Sequence, residues 1–323
     1  MDYEAVVRIV DAEAIRREEI ETRAVAGVTR AYDGLDWYDH AEITVAATRA
    51  GQVVRASSQV SVALADAAMT RILAQVVGGS PRPAGTMTIT QPLRQGVSGW
   101  AGVYGRVADT VRLQVANGLP LEEAVGMGLQ RADAMCRTDL GLARREQWRR
   151  SLTANPEVIG FRRAIHPEAS KTGVCGLCIA AADRVYNRGE LLPLHSHCVC
   201  TVLPITQVHD PGGTLNDADL KAVYESADSN RRDDLKRVRY QVQEHGELGP
   251  VLTDSRQHFR GPDEVAAARR RRSTRTVTDI DATRTVAQLQ ATLTELERSA
   301  LVFESAGTRA RLEELRTKIA ARP

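Results

Sequence analysis

The sequence predicts an α+β protein that is mostly helical, with helical regions at both ends and a small strand-containing module between them. Residues 2–77 contain no proline, and apolar residues recur four apart there, which is the spacing of one helix face. Residues 286–303 repeat apolar side chains at spacings of three and four. Between these regions, apolar and polar residues alternate at 159–165, and an apolar run at 199–205 follows, so we expect two strands.

The second half of the N-terminal helical region is set off by a loop. Residues 78–99 are rich in glycine and proline, which predicts a loop with room for a short strand at 87–90. A second helix follows Pro120, and Cys136 lies on its apolar face, so we expect a core cysteine there. Asn155 and the proline after it end this helix. The helix before Pro120 is predicted by a stripe of valines: Val103, Val107, Val111 and Val115.

The C-terminal third alternates helical and polar stretches. Residues 214–243 have a helical pattern, and residues 244–250 predict a turn. Residues 254–284 are polar and basic, which predicts a linker with one short helix. Two helical apolar stripes at the C-terminal end, at residues 286–303 and 312–319, predict an αα-hairpin. Its apolar seam packs either on its own chain or on another molecule. The predicted domains are an N-terminal helical region (1–155), a cysteine/histidine module (156–210), a helical extension and turn (211–255), a basic linker (256–284) and a C-terminal helical hairpin arm (285–323).

Composition excludes several classes of protein. The chain of 323 residues has 43 basic and 41 acidic residues, and a net charge of +2 is too small for a protein that binds nucleic acid over its whole surface. The longest uncharged segment, residues 191–209, contains histidines and prolines and cannot span a bilayer. The N-terminus lacks a signal-peptide pattern, so we expect synthesis in a reducing compartment. Clustered cysteines are then interpreted first as metal ligands.

Four of the five cysteines lie within residues 175–200, and this clustering is the strongest chemical signal in the sequence. Cys175 and Cys178 form a Cys-x-x-Cys knuckle, whose two thiolates can bind one metal ion. A closed set of four sulfur and nitrogen ligands is typical of structural zinc, so we expect a Zn²⁺ that stabilises the fold and no catalytic metal. The alternative is a metal-free cysteine core or a pair of disulfides.

The second half of the cluster leaves the remaining ligands open. Cys198 and Cys200 lie on the same face if this stretch is a strand, and together they could close a four-cysteine site. Alternatively, His195 and one of these cysteines complete the site. His197 points away from Cys198 in a strand and ranks last among the candidates.

A run of arginines lies in the predicted linker. Its sequence surroundings are too polar for a core, so the run is either a solvated linker or an arm that contacts nucleic-acid phosphates. The candidate phosphate contacts are Arg269, Arg270, Arg271, Arg272 and Arg275.

Residues 160–205 resemble the core of the Mu F-like minor capsid (head morphogenesis) proteins of tailed bacteriophages, in the form found in phages of actinobacteria. Members of that family carry a Cys-x-x-Cys, a Tyr-x-x-Gly turn and a Pro-x-His-x-x-Cys-x-Cys close. The first motif falls on Cys175 and Cys178, and the second begins at Tyr186. The third falls on Pro193, His195, Cys198 and Cys200.

The resemblance implies a function in the virion. It implies a protein present in a few copies, made in the host cytoplasm and attached near the portal inside the head, with the portal and the major capsid protein as partners. Its role would be in head assembly or in packaging and delivering DNA, and it would have no catalytic activity, small-molecule substrate or membrane partner. Under this interpretation the arginine run is a candidate contact for packaged DNA.

Two other functions are open on the sequence alone. A metal-dependent nuclease of the metal-finger type also pairs cysteines with histidines, but it needs a second site with a histidine base, and the other histidines are scattered without such a motif. A zinc-ribbon DNA-binding protein needs a basic recognition element, whereas residues 172–210 contain two basic and three acidic residues.

Overall fold

A computed structural model describes most of the chain. The described residues are 1–95, 99–166, 181–182, 184–188, 191, 200–217, 240–246, 248–254, 258–273, 281–282, 284–300 and 306–322. They are mostly helical, with two small sheets of two strands each, so the predicted α+β class is confirmed at that level.

Five helices build the N-terminal region, and the first two confirm the helices predicted before residue 78. Helix α5 confirms the position of Cys136, which is fully buried in the core. The predicted valine helix is divided at Gly105, yet all four of its valines are buried as predicted. The helices are α1 (Tyr3–Ala31), α2 (His40–Val76), α3 (Trp100–Tyr104), α4 (Arg106–Ala116) and α5 (Leu121–Ala154).

Residues 82–90 belong to no helix or strand, so the strand predicted at 87–90 is wrong. Residues 82–89 are called the strap below. Side-chain amides take the place of a neighbouring strand. Gln59 donates to the Met87 carbonyl at 2.9 Å and accepts from the Ile89 N–H at 2.9 Å. Gln147 accepts from the Met87 N–H at 2.9 Å and donates to the Gly85 carbonyl at 3.1 Å. The two glutamines therefore bond four backbone groups of the strap, at Gly85, Met87 and Ile89. No strand pattern in the sequence reveals these bonds.

Gln147→Ala is expected to lower the free energy of unfolding by about 2–4 kcal/mol. The variant removes a fully buried amide, so that its polar partners lose their hydrogen bonds to it. Urea unfolding monitored by circular dichroism measures the change. Gln52→Ala, at an exposed position of α2, is the control and is expected to change stability by less than about 0.5 kcal/mol. Equal losses in the two variants would show that the strap does not depend on Gln147.

The first sheet confirms both predicted strands of the module. Strand β1 (Gly160–Ala164) pairs antiparallel with β2 (Thr201–Ile205), and Ala164 lies opposite Thr201. All five residues of β2 are buried. Val202 belongs to a core cluster with Met69, Leu73, Trp148, Leu152 and Phe161, and Leu203 to another with Val6, Ile9, Val10, Ile72 and Val76. Apolar side chains of the helices therefore cover the sheet. This contact buries a large apolar area for two such short strands.

The second sheet corrects the prediction for residues 211–255. Residues 211–217 are helical, residues 218–239 lie outside the described residues, and β3 (Tyr240–His245) pairs antiparallel with β4 (Gly249–Asp254). The helix predicted to reach residue 243 is therefore wrong at residues 240–243, which belong to β3, and the predicted turn is part of a β-hairpin. Gly249, the first residue of β4, has a φ of +74°, a conformation that glycine adopts at little cost.

The predicted linker contains more structure than its composition suggests. Helix α6 (Pro262–Ser273) confirms the one short helix expected there. Asp281 is fully buried, and its carboxylate lies 2.7 Å from the Arg311 guanidinium and 2.8 Å from the Lys318 ammonium. Arg284 is also buried and donates to the Val115 carbonyl at 3.2 Å. The prediction of a linker is thus wrong at Asp281 and Arg284, where charge pairing replaces apolar burial.

The C-terminal helices confirm the predicted hairpin and show what its seam contacts. Helix α7 (Val286–Ala300) packs on α8 (Ala306–Ala320). Their buried leucines form one cluster, against which Tyr38 of the same chain packs. The seam is therefore covered within one chain. Its buried members are Leu289, Leu296, Leu312 and Leu315.

The chain forms two compact units, each assembled from three stretches. The sheet β1–β2, the strap and the cysteine-bearing connection belong to unit 1, and the C-terminal hairpin belongs to unit 2. The predicted domain ranges stay a prediction. Unit 1 is Met1–Arg23, Ala56–Gln95 and Arg137–Pro262, and unit 2 is Ala24–Arg55, Gly96–Cys136 and Asp263–Pro323.

Candidate metal centre

Of the five predicted metal ligands, the structure describes Cys200. It lies directly before β2 and is buried, with 5% of its surface exposed. The other four predicted ligands lie outside the described residues: Cys175, Cys178, His195 and Cys198. His197, the last-ranked candidate, also lies outside them. The ligand set therefore stays a prediction, and the described residues show how the chain that carries it is held.

All the predicted ligands lie on the connection between β1 and β2, residues 165–200, called the cysteine connection below. It leaves β1 after Ala164 and returns to β2 at Thr201, and these two residues are paired neighbours in the sheet. Described residues at both ends of the connection and at two places within it are buried: Ile165, His166, Ala181, Ala182, Leu191 and Cys200. The stretch 184–188 is exposed or half-buried. The connection therefore begins and ends in the core of unit 1.

Tyr186, in the middle of the cysteine connection, pairs with β1 through an isolated antiparallel β-bridge to Phe161. It exchanges two backbone hydrogen bonds with Phe161, each of 2.8 Å, and the two rings stack with centroids 5.2 Å apart. Burial raises the pKa of the Tyr186 hydroxyl, although the nearby Arg163 opposes the shift. The first residue of the Tyr-x-x-Gly motif is thus fixed on β1.

Asn216 joins the two sides of the first cysteine-bearing stretch. It is fully buried, accepts a hydrogen bond from the Ile165 N–H at 3.2 Å and donates to the Arg163 carbonyl at 2.7 Å. Its amide also donates to the Ala182 carbonyl at 3.2 Å. One side chain thus holds the backbone on both sides of residues 167–180.

A chain of hydrogen bonds fixes the other end of the cysteine connection to α1. The Thr201 hydroxyl lies 2.8 Å from His166 Nε2 and donates to Glu13 Oε2 at 3.3 Å. Because the hydroxyl gives its hydrogen to the carboxylate, it accepts from His166, which places a hydrogen on Nε2. All three side chains are nearly inaccessible, with at most 4% of each residue exposed. A histidine beside a hydroxyl can activate a nucleophile, but this pair is closed to substrate and its hydroxyl hydrogen is already engaged.

Glu13 belongs to a buried network of four charges in unit 1. Its carboxylate lies 3.5 Å from the Arg17 guanidinium and 3.9 Å from that of Arg144. Arg144 also pairs with Glu21 at 3.2 Å and lies over the ring of Trp148, 5.4 Å from its centroid. Two negative and two positive charges are thus buried together, which makes their burial tolerable, and the partly exposed Arg137 also pairs with Glu21 at 3.1 Å.

Burial lowers the pKa of Arg17, and the attraction of Glu13 opposes this shift. Cys200 acts in the same direction as Glu13, so the Arg17 guanidinium lies within electrostatic reach of this candidate ligand.

Sequence inspection missed this network, although a signal was present. Glu13, Arg17 and Glu21 follow each other at intervals of four on α1, which places alternating charges on one helix face. Such a face is usually solvated, and nothing in the sequence indicates that β2 covers it. Asn216 and Thr201 also lack a distinguishing pattern, because single polar residues at these positions are common in loops and strand ends.

At the far end of the sheet, Asp210 forms a bidentate ion pair with Arg162, whose Nη2 lies 2.6 Å from Asp210 Oδ2. The Gly213 N–H also donates to this carboxylate at 3.0 Å. Burial alone would raise the pKa of Asp210, but the hydrogen bonds from Arg162 and Gly213 outweigh it and hold that pKa below its ordinary value.

Asp210→Asn is therefore expected to lower stability at neutral pH, with a loss that shrinks in acid. Since the pKa of Asp210 is lower in the folded protein, its contribution is complete above the unfolded value of about 3.9 and disappears as pH falls through the folded value. Urea unfolding at pH 7 and below pH 4 measures both differences. A loss that is independent of pH would show that the ionised carboxylate makes no contribution.

The arginine run lies on a helix. Helix α6 contains Arg269 to Arg272, whose side chains are outside the description, and Arg275 lies outside the described residues altogether. The choice between a solvated segment and a phosphate contact therefore stays a prediction.

Within the described part of the chain, no three side chains of histidine, cysteine, aspartate or glutamate are grouped so that they could hold a metal ion. None of the helices described is both long enough and apolar enough to cross a membrane. No protein-family model, curated protein or solved structure matches the chain.

Proposed function

We propose that this chain is a minor capsid, or head morphogenesis, protein of a tailed bacteriophage. It occupies a place near the portal inside the head, contacts the portal and major capsid proteins, and acts in head assembly or in DNA packaging and delivery. Its role is structural, and a Zn²⁺ bound by the cysteine connection stabilises the module. When bound, the metal supplies a cross-link between the two cysteine-bearing stretches.

One observation carries the proposal. The Cys-x-x-Cys, Tyr-x-x-Gly and Pro-x-His-x-x-Cys-x-Cys motifs follow one another on a single connection, as in the Mu F-like proteins that residues 160–205 resemble. The described contacts support a stabilising role for that connection, because Asn216, Tyr186 and Thr201 all hold it to the core. Buried surroundings, closed to substrate at both described ends of the connection, suit a structural metal better than a reacting one.

Quantitative mass spectrometry of purified phage particles tests the proposal directly. We expect this chain to copurify with the portal protein and to be present in far fewer copies than the major capsid protein. Its presence in the infected-cell lysate together with its absence from both procapsids and mature particles would overturn the proposed function.

The metal centre has its own test. Purified full-length protein is expected to contain about one zinc per chain, and Cys178→Ser is expected to abolish this binding, because a closed site needs all of its ligands. Cys136→Ser is the matched control, since this cysteine is fully buried in α5 and belongs to no predicted site. Elemental analysis of both variants and the wild type gives the result. Zinc-free, fully folded wild-type protein would refute the metal centre.

A further inference from the structure

Asn216 bonds the backbone on both sides of the stretch that carries two of the predicted zinc ligands. Its three hydrogen bonds reach Arg163 and Ile165 before residues 167–180 and Ala182 after them. Those residues carry Cys175 and Cys178. We propose that Asn216 is a positioning residue for the metal centre, which holds together the two ends of the stretch that carries the Cys-x-x-Cys knuckle before the metal binds. This inference rests on the proposed zinc site.

The chemistry of an asparagine amide explains why this residue type is needed. Its oxygen accepts from one backbone N–H while its nitrogen donates to two carbonyls, so one acceptor and both donors are used. An aspartate of the same shape would direct an oxygen at two carbonyl oxygens. An alanine would leave the Ile165 N–H and two carbonyls without these bonds in the protein interior.

Holding both ends of a stretch lowers the cost of metal binding within it. Fixed ends restrict the conformations open to the residues between them. Because Asn216 joins both ends in the folded protein, metal binding has less conformational entropy to remove from the stretch that carries Cys175 and Cys178. Polar residues that orient metal ligands without touching the metal typically change metal affinity by about 10–100-fold when they are replaced.

The chain offers a matched control in Asn155. It is also fully buried and its amide also makes three hydrogen bonds: it accepts from the Arg82 N–H at 2.8 Å and donates to the carbonyls of Arg82 and Ser151 at 3.1 and 2.8 Å. It therefore matches Asn216 in residue type, burial and hydrogen bonding. Its amide holds the strap and makes no bond to the described residues of the cysteine connection. Arg188 of that connection donates to the Asn155 backbone carbonyl, which the alanine variant keeps.

The experiment compares full-length wild-type protein with Asn216→Ala and Asn155→Ala. Zinc affinity is measured by competition with a chromophoric chelator, and the absorption of bound Co²⁺ reports ligand geometry. We expect similar losses of stability in both variants, with zinc binding about 10–100-fold weaker in Asn216→Ala alone. Asn216→Ser, which retains one hydroxyl for these bonds, is a milder variant with an intermediate affinity and serves if Asn216→Ala does not fold.

The outcomes separate the inference from the proposed function. If the wild type binds zinc and the Asn216 variants bind it as tightly as Asn155→Ala, the positioning role is wrong while the zinc site stands. If the folded wild type binds neither zinc nor Co²⁺, the zinc site itself is wrong, and the positioning role falls with it.

Discussion

Arg144→Ala is expected to lower the free energy of unfolding by about 3–5 kcal/mol, because it breaks two buried pairs and leaves Glu13 with Arg17 and Glu21 with the partly exposed Arg137 as their cationic partners. Only 3% of the Arg144 side chain is exposed, so water cannot replace it. Its removal also takes away the guanidinium that lies over Trp148. Chemical denaturation at pH 7 measures the loss.

Two further variants show whether charge is the cause. Arg23→Ala breaks an ion pair with Glu19 that is more than half exposed on both sides, and it is expected to cost less than about 1 kcal/mol. Adding Glu21→Gln to Arg144→Ala is expected to recover part of the loss, because it removes the buried carboxylate charge, while Arg137, the remaining partner of Glu21, is partly exposed to water. A loss in Arg144→Ala as small as that in Arg23→Ala would contradict the buried network.

The second large effect is expected in unit 2. Leu289→Glu combined with Leu296→Glu places two carboxylates in the centre of the leucine cluster, where each original side chain is at most 1% exposed. Burying unpaired charge is so unfavourable that α7 and α8 should separate instead. Hydrogen exchange is expected to lose protection at 286–300 and 306–320, while β1 and β2, whose core is a different cluster, keep theirs.

Gln290→Glu is the control for that variant. It adds a carboxylate to the exposed side of the same helix, so protection is expected to stay unchanged. If the double leucine variant kept full protection in α7 and α8, the seam would not be the contact that holds the hairpin.

Much of the fold could be predicted because its helices carry long apolar stripes. The valines of α3 and α4, the cysteine of α5 and the leucines of the hairpin all lie on the buried side that their spacing indicates. The strap could not be predicted, because its backbone bonds to Gln59, Gln147 and Asn155, which are distant in sequence. Strand β3 was missed because residues 240–245 alternate too weakly to oppose the helical pattern before them.

The candidate site likewise has one part that could be predicted from the sequence and one part that could not. Cysteine spacing predicts candidate ligands because metal chemistry restricts which residues can serve and how close they must be. The supporting residues obey no such restriction. Glu13 and Asn216 act through contacts with residues far along the chain, Thr201 for Glu13 and Ile165 for Asn216, and only folding brings these partners together.

We propose that this chain acts by occupying a place in the phage head, and cryo-electron microscopy of intact particles, with focused reconstruction of the portal vertex, is the measurement that tests this role. We expect density inside the head beside the portal that accommodates the long helices α1, α2 and α5 and the sheet β1–β2. A well-resolved portal vertex and capsid interior without such density, in particles whose infectivity requires this chain, would show that the proposed role is wrong.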